Sequence, residues 1–216
     1  MAKLNFLVIF LIGFCGIMAA QTLTIGSQVW MTKNLDVSNF SNGDIIFQAK
    51  TDEEWIKAGE EKKPAWCYYN NDPAHETKYG KLYNWYAVND PRGIAPKGWH
   101  IPSEEELVNL SQNLGGNLVS GGKLKSKSGW KNNGNGSDQF GFTGAPGGYR
   151  YIVDGSFNDI GIRAIYWTST EMEIGSPHAH FGLLNYKNNE FDMNDFTNPA
   201  VVFFKGNGLS VRCLKD

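Results

Sequence analysis

The chain has 216 residues and a formal net charge of −2, its 20 basic and 22 acidic side chains spread along the sequence without runs. That balance provides no electrostatic footprint for nucleic acid or for an anionic membrane surface. Its 25 Gly, 7 Trp, 9 Tyr and 13 Phe, with Glu and Ala runs nearly absent, point instead to a protein of turns and short strands.

The first twenty residues carry one cation, Lys3, an apolar run from Leu4 to Phe14 that contains Asn5, and the small residues Ala19 and Ala20. This is the pattern of a secretory signal peptide cleaved near Ala20. The apolar run is short for a bilayer span, and Gln21-Thr22-Leu23-Thr24 supplies no basic stop-transfer flank. In Ile12-Gly13-Phe14-Cys15, Phe14 stands where a lipoprotein box requires a small residue, so lipidation of Cys15 is not expected. The mature chain, residues 21–216, is then a single domain of about 196 residues with no membrane span, secreted or held in the cell envelope, periplasmic or at the outer surface. A chain of that size buries roughly 70% of its extended surface. Removing the leader takes Lys3 and Cys15 with it. The net charge becomes −3, and Cys67 and Cys213 remain as an even pair, which in an exported protein points to one disulfide between them.

Along the mature chain, Thr22 to Met31 alternates around Gly26-Ser27 and predicts a hairpin at a sheet edge. Thr51 with Glu54 forms a capping-box pattern for a helix over 52–58 that Gly59 should stop. Tyr79 to Val88 fits either period and is read as helix. Ser103 with Glu106 repeats the capping box, and Leu107, Leu110 and Leu114 share one helical face before Gly115-Gly116 ends it. Residues 115–137 read as a long ordered loop or two short pieces. Strand signals follow at Phe140–Phe142, Tyr149–Tyr151, Ala164–Thr168, His180–Tyr186 and Val201–Phe204. The last of these is expected to turn at Lys205–Gly208 and return as a hairpin over Leu209–Cys213. Most of Trp55, Trp85, Trp99 and Trp167 are expected in the core.

Seven stretches occur in a fixed order: Trp30-Met31-Thr32-Lys33-Asn34-Leu35, Trp66 to Asp72, Tyr79 to Tyr86, Pro96 to Ser103, Pro146 to Arg150, Trp167 to Thr170, and Ser210 to Cys213. Together they resemble the Fibrobacter succinogenes major paralogous domain, over essentially all of the mature chain from Ile25 to Asp216. The resemblance implies a bacterial exported protein and an α+β, C-type-lectin-like fold similar to that of the formylglycine-generating enzymes. In that fold the termini pair in a small sheet, two or three short helices pack on small antiparallel sheets, and long irregular loops fill the rest. The family contexts Trp-Cys-Tyr-Tyr and Val-Arg-Cys also favour the Cys67–Cys213 bond. Many relatives carry a cysteine where this chain has Ala95, so a second disulfide is not expected.

The chemistry-bearing residues suggest no catalytic centre. His100, at the entrance of the second capped helix, suits a structural hydrogen bond, and His75 sits in a polar, solvated loop. His178 and His180 would share a strand face, but no Cys, Asp or Glu follows at ligand spacing, so no metal is expected. There is no Gly-x-Ser-x-Gly elbow, and a Cys67 tied to Cys213 offers no thiolate. The late cysteine pair of the formylglycine-generating oxidases is absent, and the glycine clusters lack the lysine-serine ending of a phosphate loop. Oxygen ligands for calcium are plentiful at Tyr68–Asp72 and Asp192–Asp195, but turn formation explains both stretches, and no cofactor is expected. The expectation is an exported non-catalytic binding or adhesion module for carbohydrate or another cell-surface polymer, with Tyr68, Asn70, Asn71, Asp72, Tyr149 and Arg150 as ligand-binding candidates. The alternative is a secreted hydrolase of unrecognised type.

Overall fold

The computed structural model describes residues 21–193 and 203–216. The leader at 1–20, Asn194 and Asp195 of the acidic stretch, and the first half of the strand expected at Val201–Phe204 lie outside the described residues. In chain order the elements begin with β1 (Thr22–Ile25), β2 (Gln28–Met31), β3 (Phe47–Gln48), α1 (Asp52–Glu60) and β4 (Ala65–Cys67). Next come α2 (Glu76–Tyr79), β5 (Leu82–Tyr83), α3 (Trp85–Val88), β6 (Trp99–His100), α4 (Glu104–Asn113) and α5 (Asn117–Leu124). The late elements are β7 (Gly147–Arg150), β8 (Phe157–Ile160), β9 (Arg163–Glu171), β10 (Ala179–Asn185), β11 (Phe191–Met193) and β12 (Leu214–Lys215). The fold is α+β: among the described residues the strands form three small sheets, ordered β1-β2-β12-β6, β3-β4-β5 and β11-β10-β9-β7-β8.

The amino-terminal hairpin forms as its alternation predicts, with Thr22 opposite Met31 and Ile25 opposite Gln28, and β1 is a sheet edge. Its turn uses Gly26 at φ +61°, where a Cβ would also lie 2.4 Å from the Asn113 amide, so both conformation and space require glycine. β12 completes this sheet by placing Leu214 between Trp30 and His100, which brings the two ends of the domain together. The segment before β12 is not the return arm of a hairpin. Gly208 pairs with Arg150, Leu209 with Tyr83 and Ser210 with Tyr166, so it touches the five-stranded and three-stranded sheets before it enters the first. Alternation explains this path: Leu209, Val211 and Cys213 are each 0% exposed in one apolar cluster, while Arg212 points the other way and donates to Asn34, Met31 and Phe142. A segment covered on both faces needs neighbours from distant parts of the chain.

Both capping boxes form. Thr51 and Glu54 satisfy the first turn of α1, and Ser103 and Glu106 that of α4, whose Leu107, Leu110 and Leu114 pack with Leu23, Ile25 and Trp30 of the hairpin. Burial of each such leucine contributes about 1.5–3 kcal/mol. Gly59 does not stop α1, which runs on to Glu60; the glycine lies where Ile152 presses against the helix, and a Cβ there would come within 2.0 Å of Ile152 Cδ1. The stretch Tyr79–Val88 is not one helix. Gly80 at φ +70° ends α2, Leu82 and Tyr83 pair as β5, and Asn84 caps α3 by accepting from Ala87 N–H. Residues 117–124 form a helix that composition concealed, because Gly121 and Gly122 are there for contact: a Cβ on Gly121 would lie 2.0 Å from Glu190 O. Phe140–Phe142 turns instead of extending, with Gly141 at φ +80° and Phe142 buried. Trp55, Trp85 and Trp167 are buried as expected, whereas Trp99 is half-buried.

Candidate functional site

β4 delivers Trp66, Cys67 and then Tyr68, which an extended chain directs to alternate sides. Tyr69 enters the cluster of Trp55, Cys67 and Leu82, and Tyr68 leans half-buried on the other cluster. Asn70 and Asn71 follow at φ +54° and +55°, a left-handed pair that asparagine tolerates because its short amide bonds locally. The turn closes through Asn71 N–H to Tyr68 O at 3.0 Å. Asp72 then accepts from Ala74 N–H at 2.9 Å and starts the next turn. His75, expected in a solvated loop, instead packs its ring against both Tyr69 and Tyr79, each 5.7 Å away between centroids.

The six ligand-binding candidates do not converge. Arg150 is 0% exposed and donates to five acceptors: Gly155 O, Ala49 O, Thr51 O, Asp52 Oδ1 and Asn71 Oδ1. With its guanidinium also stacked over Trp55 and Phe157, no donor is left for a ligand. This corrects its assignment as a contact residue: Arg150 joins β7 to the start of α1. Asn71 is occupied with Arg150 at 3.3 Å, and Asp72 with its own turn. Tyr149 is the neighbour of Arg150 on β7 and so faces away from it, its ring edge against Phe203 at 5.2 Å. Asn70 is exposed.

Tyr68 is the candidate that borders a site. Its hydroxyl donates to Glu76 Oε1 at 3.1 Å, and Lys81 Nζ donates to the same oxygen at 2.8 Å. Lys81 is 3% exposed; its ammonium also donates to Asp36 O and lies over the rings of Trp66 (4.7 Å) and Tyr68 (5.3 Å). The Lys81 hydrogen bond holds the Glu76 carboxyl below the usual carboxylate range against the opposing pull of burial. Burial, with Glu76 close by, pushes the Tyr68 phenol up. Lys33, Asn34, Asp36, Glu76, Thr77 and Gly80 line an open groove of about 170 Å³ beside this network. Gly80 is one of its lining residues, and a Cβ there would meet Leu35 O at 2.8 Å. Asn34 is held rigidly, donating to Tyr79 O at 2.9 Å and accepting from Arg212 at 2.6 Å. Among the described residues the Lys33 ammonium, the Asp36 carboxylate and the Thr77 hydroxyl have no hydrogen-bond partner, so they are free for a ligand.

The model of the Fibrobacter succinogenes major domain matches residues 23–215. The chain belongs to this family. No curated protein and no solved structure matches it. In this family member, Lys33, Asn34, Gly80 and Lys81 fall inside two of the stretches that carry the resemblance, Trp30–Leu35 and Tyr79–Tyr86. That was the available signal for the groove, although nothing local indicated that those two stretches meet.

The expected Cys67–Cys213 disulfide is not formed. Both cysteines are free and 0% exposed, in different apolar clusters, and burial pushes each thiol up to about 12. The two histidines at 178 and 180 do not form a shared site either. His178 precedes β10 and stacks on Phe204 at 4.6 Å, the register shifts between Ala179 and Phe181, and His180 Nδ1 lies 3.1 Å from Glu104 Oε1. His100 has the hydrogen-bonding role expected of it, Nδ1 with Asp216 at 2.8 Å and Nε2 with Glu106 at 3.0 Å. Among the described residues no group of three His, Cys, Asp or Glu side chains is placed to hold a metal ion, and no helix is long and apolar enough to cross a membrane.

Proposed function

We propose that this domain is an exported, non-catalytic binding module of the C-type-lectin-like superfold, secreted or retained in the cell envelope, and that it binds carbohydrate in the groove beside Tyr68. The observation that carries the reading is the pairing of free polar groups with a buried support. Lys33, Asp36 and Thr77 offer donors and acceptors of both kinds on walls held by the Lys81–Glu76–Tyr68 network. Sugar hydroxyls both donate and accept, and a rigid polar groove binds them at little ordering cost. The Tyr68 hydroxyl bonds Glu76 of the groove wall, which ties a half-buried aromatic to this site. The seven ordered stretches and the pairing of the two chain ends support the superfold; the apolar leader with its Ala19-Ala20 end supports export.

Retention of the purified protein on immobilised polysaccharides tests the reading. Asp36→Ala and Lys33→Ala should each weaken retention at least fivefold with the melting temperature unchanged. Turnover of ester, peptide or glycoside substrates without saturable binding would favour a hydrolase instead.

A further inference from the structure

β12 joins the two ends of the domain, and its far side rests on β6, an edge strand of two residues. The register there sets Leu214 opposite His100 and Lys215 opposite Trp99, and a further backbone bond, Asp216 N–H to Gly98 O at 3.1 Å, closes the end. His100 stands at this junction with a carboxylate at each ring nitrogen. Asp216 Oδ1 lies 2.8 Å from Nδ1, and Glu106 Oε1 lies 3.0 Å from Nε2. These are the titratable groups that face the ring, one from α4 and one from the end of β12, and neither carboxylate pairs with another cation among the described residues.

We propose that His100 is a pH-dependent clasp on the carboxy-terminal strand, closed while the ring is an imidazolium and released at Asp216 when the ring is neutral. An imidazolium has two N–H groups and donates to both carboxylates, whereas a neutral imidazole keeps one N–H and presents a lone pair at its other nitrogen. A lone pair facing a carboxylate oxygen at hydrogen-bond distance is repulsive, so the neutral ring keeps only one of the two contacts. The two carboxylates are not equally free to leave. Glu106 is fixed through its other oxygen, which accepts from Ser103 N–H at 2.8 Å in the capping box, and its side chain is 31% exposed. Asp216, at the strand end, is 59% exposed. The neutral ring therefore keeps its proton toward Glu106, and the Asp216 carboxylate turns to water. The release is local: Leu214 is buried in the cluster of Trp30 and Leu110, which holds the rest of the domain in place. Burial pulls the ring's pKa down, but the two hydrogen bonds outweigh it and the net shift is upward, as a site built for the cation requires. The clasp is thus complete below the ordinary 6.5 and is lost as pH rises through the raised value.

Hydrogen exchange by NMR across the titration of the His100 ring tests this, with the ring followed in the same samples and each amide expressed as a protection factor, so that the intrinsic rise of exchange with pH is removed. Protection at Trp99, His100 and Leu214–Asp216 should fall by about threefold or more as the ring loses its proton, while amides of β9 and β10 keep theirs. Asp216→Asn supplies the decisive comparison. Its amide accepts through Oδ1 from an N–H or donates through Nδ2 to a lone pair, so it suits both states of the ring. In that variant the ring should titrate lower than in the parent protein, and protection of the strand should no longer change as it does so. Protection that stays constant through the ring's titration in the parent protein overturns the clasp. So does a fall of equal size in Asp216→Asn, or one shared by β9 and β10, which would mark a general loss of stability.

Discussion

Arg150 and Lys81 are both buried cations next to an aromatic pair, and they do opposite things. Arg150 stacks on Trp55 and Phe157 and spends all five donors within the protein, three of them on backbone carbonyls. Lys81 stacks on Trp66 and Tyr68 but shares its ammonium with Glu76, whose side chain is 38% exposed and forms a groove wall. Both cations meet a carboxylate that reaches the surface, Asp52 at 57% and Glu76 at 38% exposed, so the difference lies in where their other donors go. Arg150 adds three backbone carbonyls and the Asn71 amide and ties elements together, whereas Lys81 adds one carbonyl, that of Asp36, and props the carboxylate of a groove wall.

The sharpest break of that comparison is Arg150→Met. It leaves the carbonyls of Ala49, Thr51 and Gly155 and the Asp52 carboxylate without their donor, and should cost about 3–5 kcal/mol in urea unfolding. Cys67 lies beside Arg150, so thiol labelling should follow the same order. In the native mature protein neither thiol should react at neutral pH; unfolding without reductant should release two, and Arg150→Met should expose Cys67 before Cys213. Labelling of neither cysteine in the unfolded, unreduced protein would show instead that a disulfide forms on export.

Lys81→Met keeps the alkyl stem over Trp66 and removes only the ammonium, so it should cost less, about 1–3 kcal/mol. Its decisive signature is electrostatic. Glu76 has a folded-state pKa below its ordinary 4.5, so its contribution to stability is present above that value and lost as pH falls through the lower one. In Lys81→Met the carboxyl should titrate closer to 4.5 by NMR and the acid-side loss of stability should shrink. Oligosaccharide binding should weaken as well, whereas Arg150→Met should alter binding only as far as it unfolds the protein.

Smaller effects sharpen the picture. Thr51→Ala removes the cap of α1 but leaves the Thr51 carbonyl for Arg150, so it should cost only about 1 kcal/mol by thermal melting, the same as Ser103→Ala at α4. A cost close to that of Arg150→Met would mean that the cap, not the arginine, holds this corner. The smallest effect belongs to His100. Burial lowers its pKa, but the hydrogen bonds to Asp216 and Glu106 outweigh that, and the net shift is upward. Its stabilisation is therefore complete below the ordinary 6.5 and fades as pH rises through the raised value. His100→Gln should flatten the melting temperature between pH 6 and 8.

The hairpin at Thr22–Met31, both capping boxes and the leucine face of α4 were legible because each depends on neighbours within a few residues. Gly59 and Gly121 were not. A glycine that ends a helix and one that admits Ile152 or Glu190 look alike until the partner, more than sixty residues away, is in place. The same limit governs the candidate site. Tyr68 could be read as a surface aromatic, but Arg150 in Gly-Gly-Tyr-Arg carries no local mark of full burial, and the groove residues stand in separate stretches at 33–36 and 76–81.

The sequence by itself determined the family, the paired amino-terminal strands, the two capped helices and the expectation of a leader, because periodicity, caps and ordered motifs are properties of short segments. Only the tertiary structure decided which polar side chains face solvent, that Leu209–Cys213 threads between three sheets, and that Lys81 supports a groove while Arg150 closes a core. Those outcomes depend on burial and on hydrogen-bond partners supplied by distant segments, and a long charged side chain takes its role from what surrounds its far end.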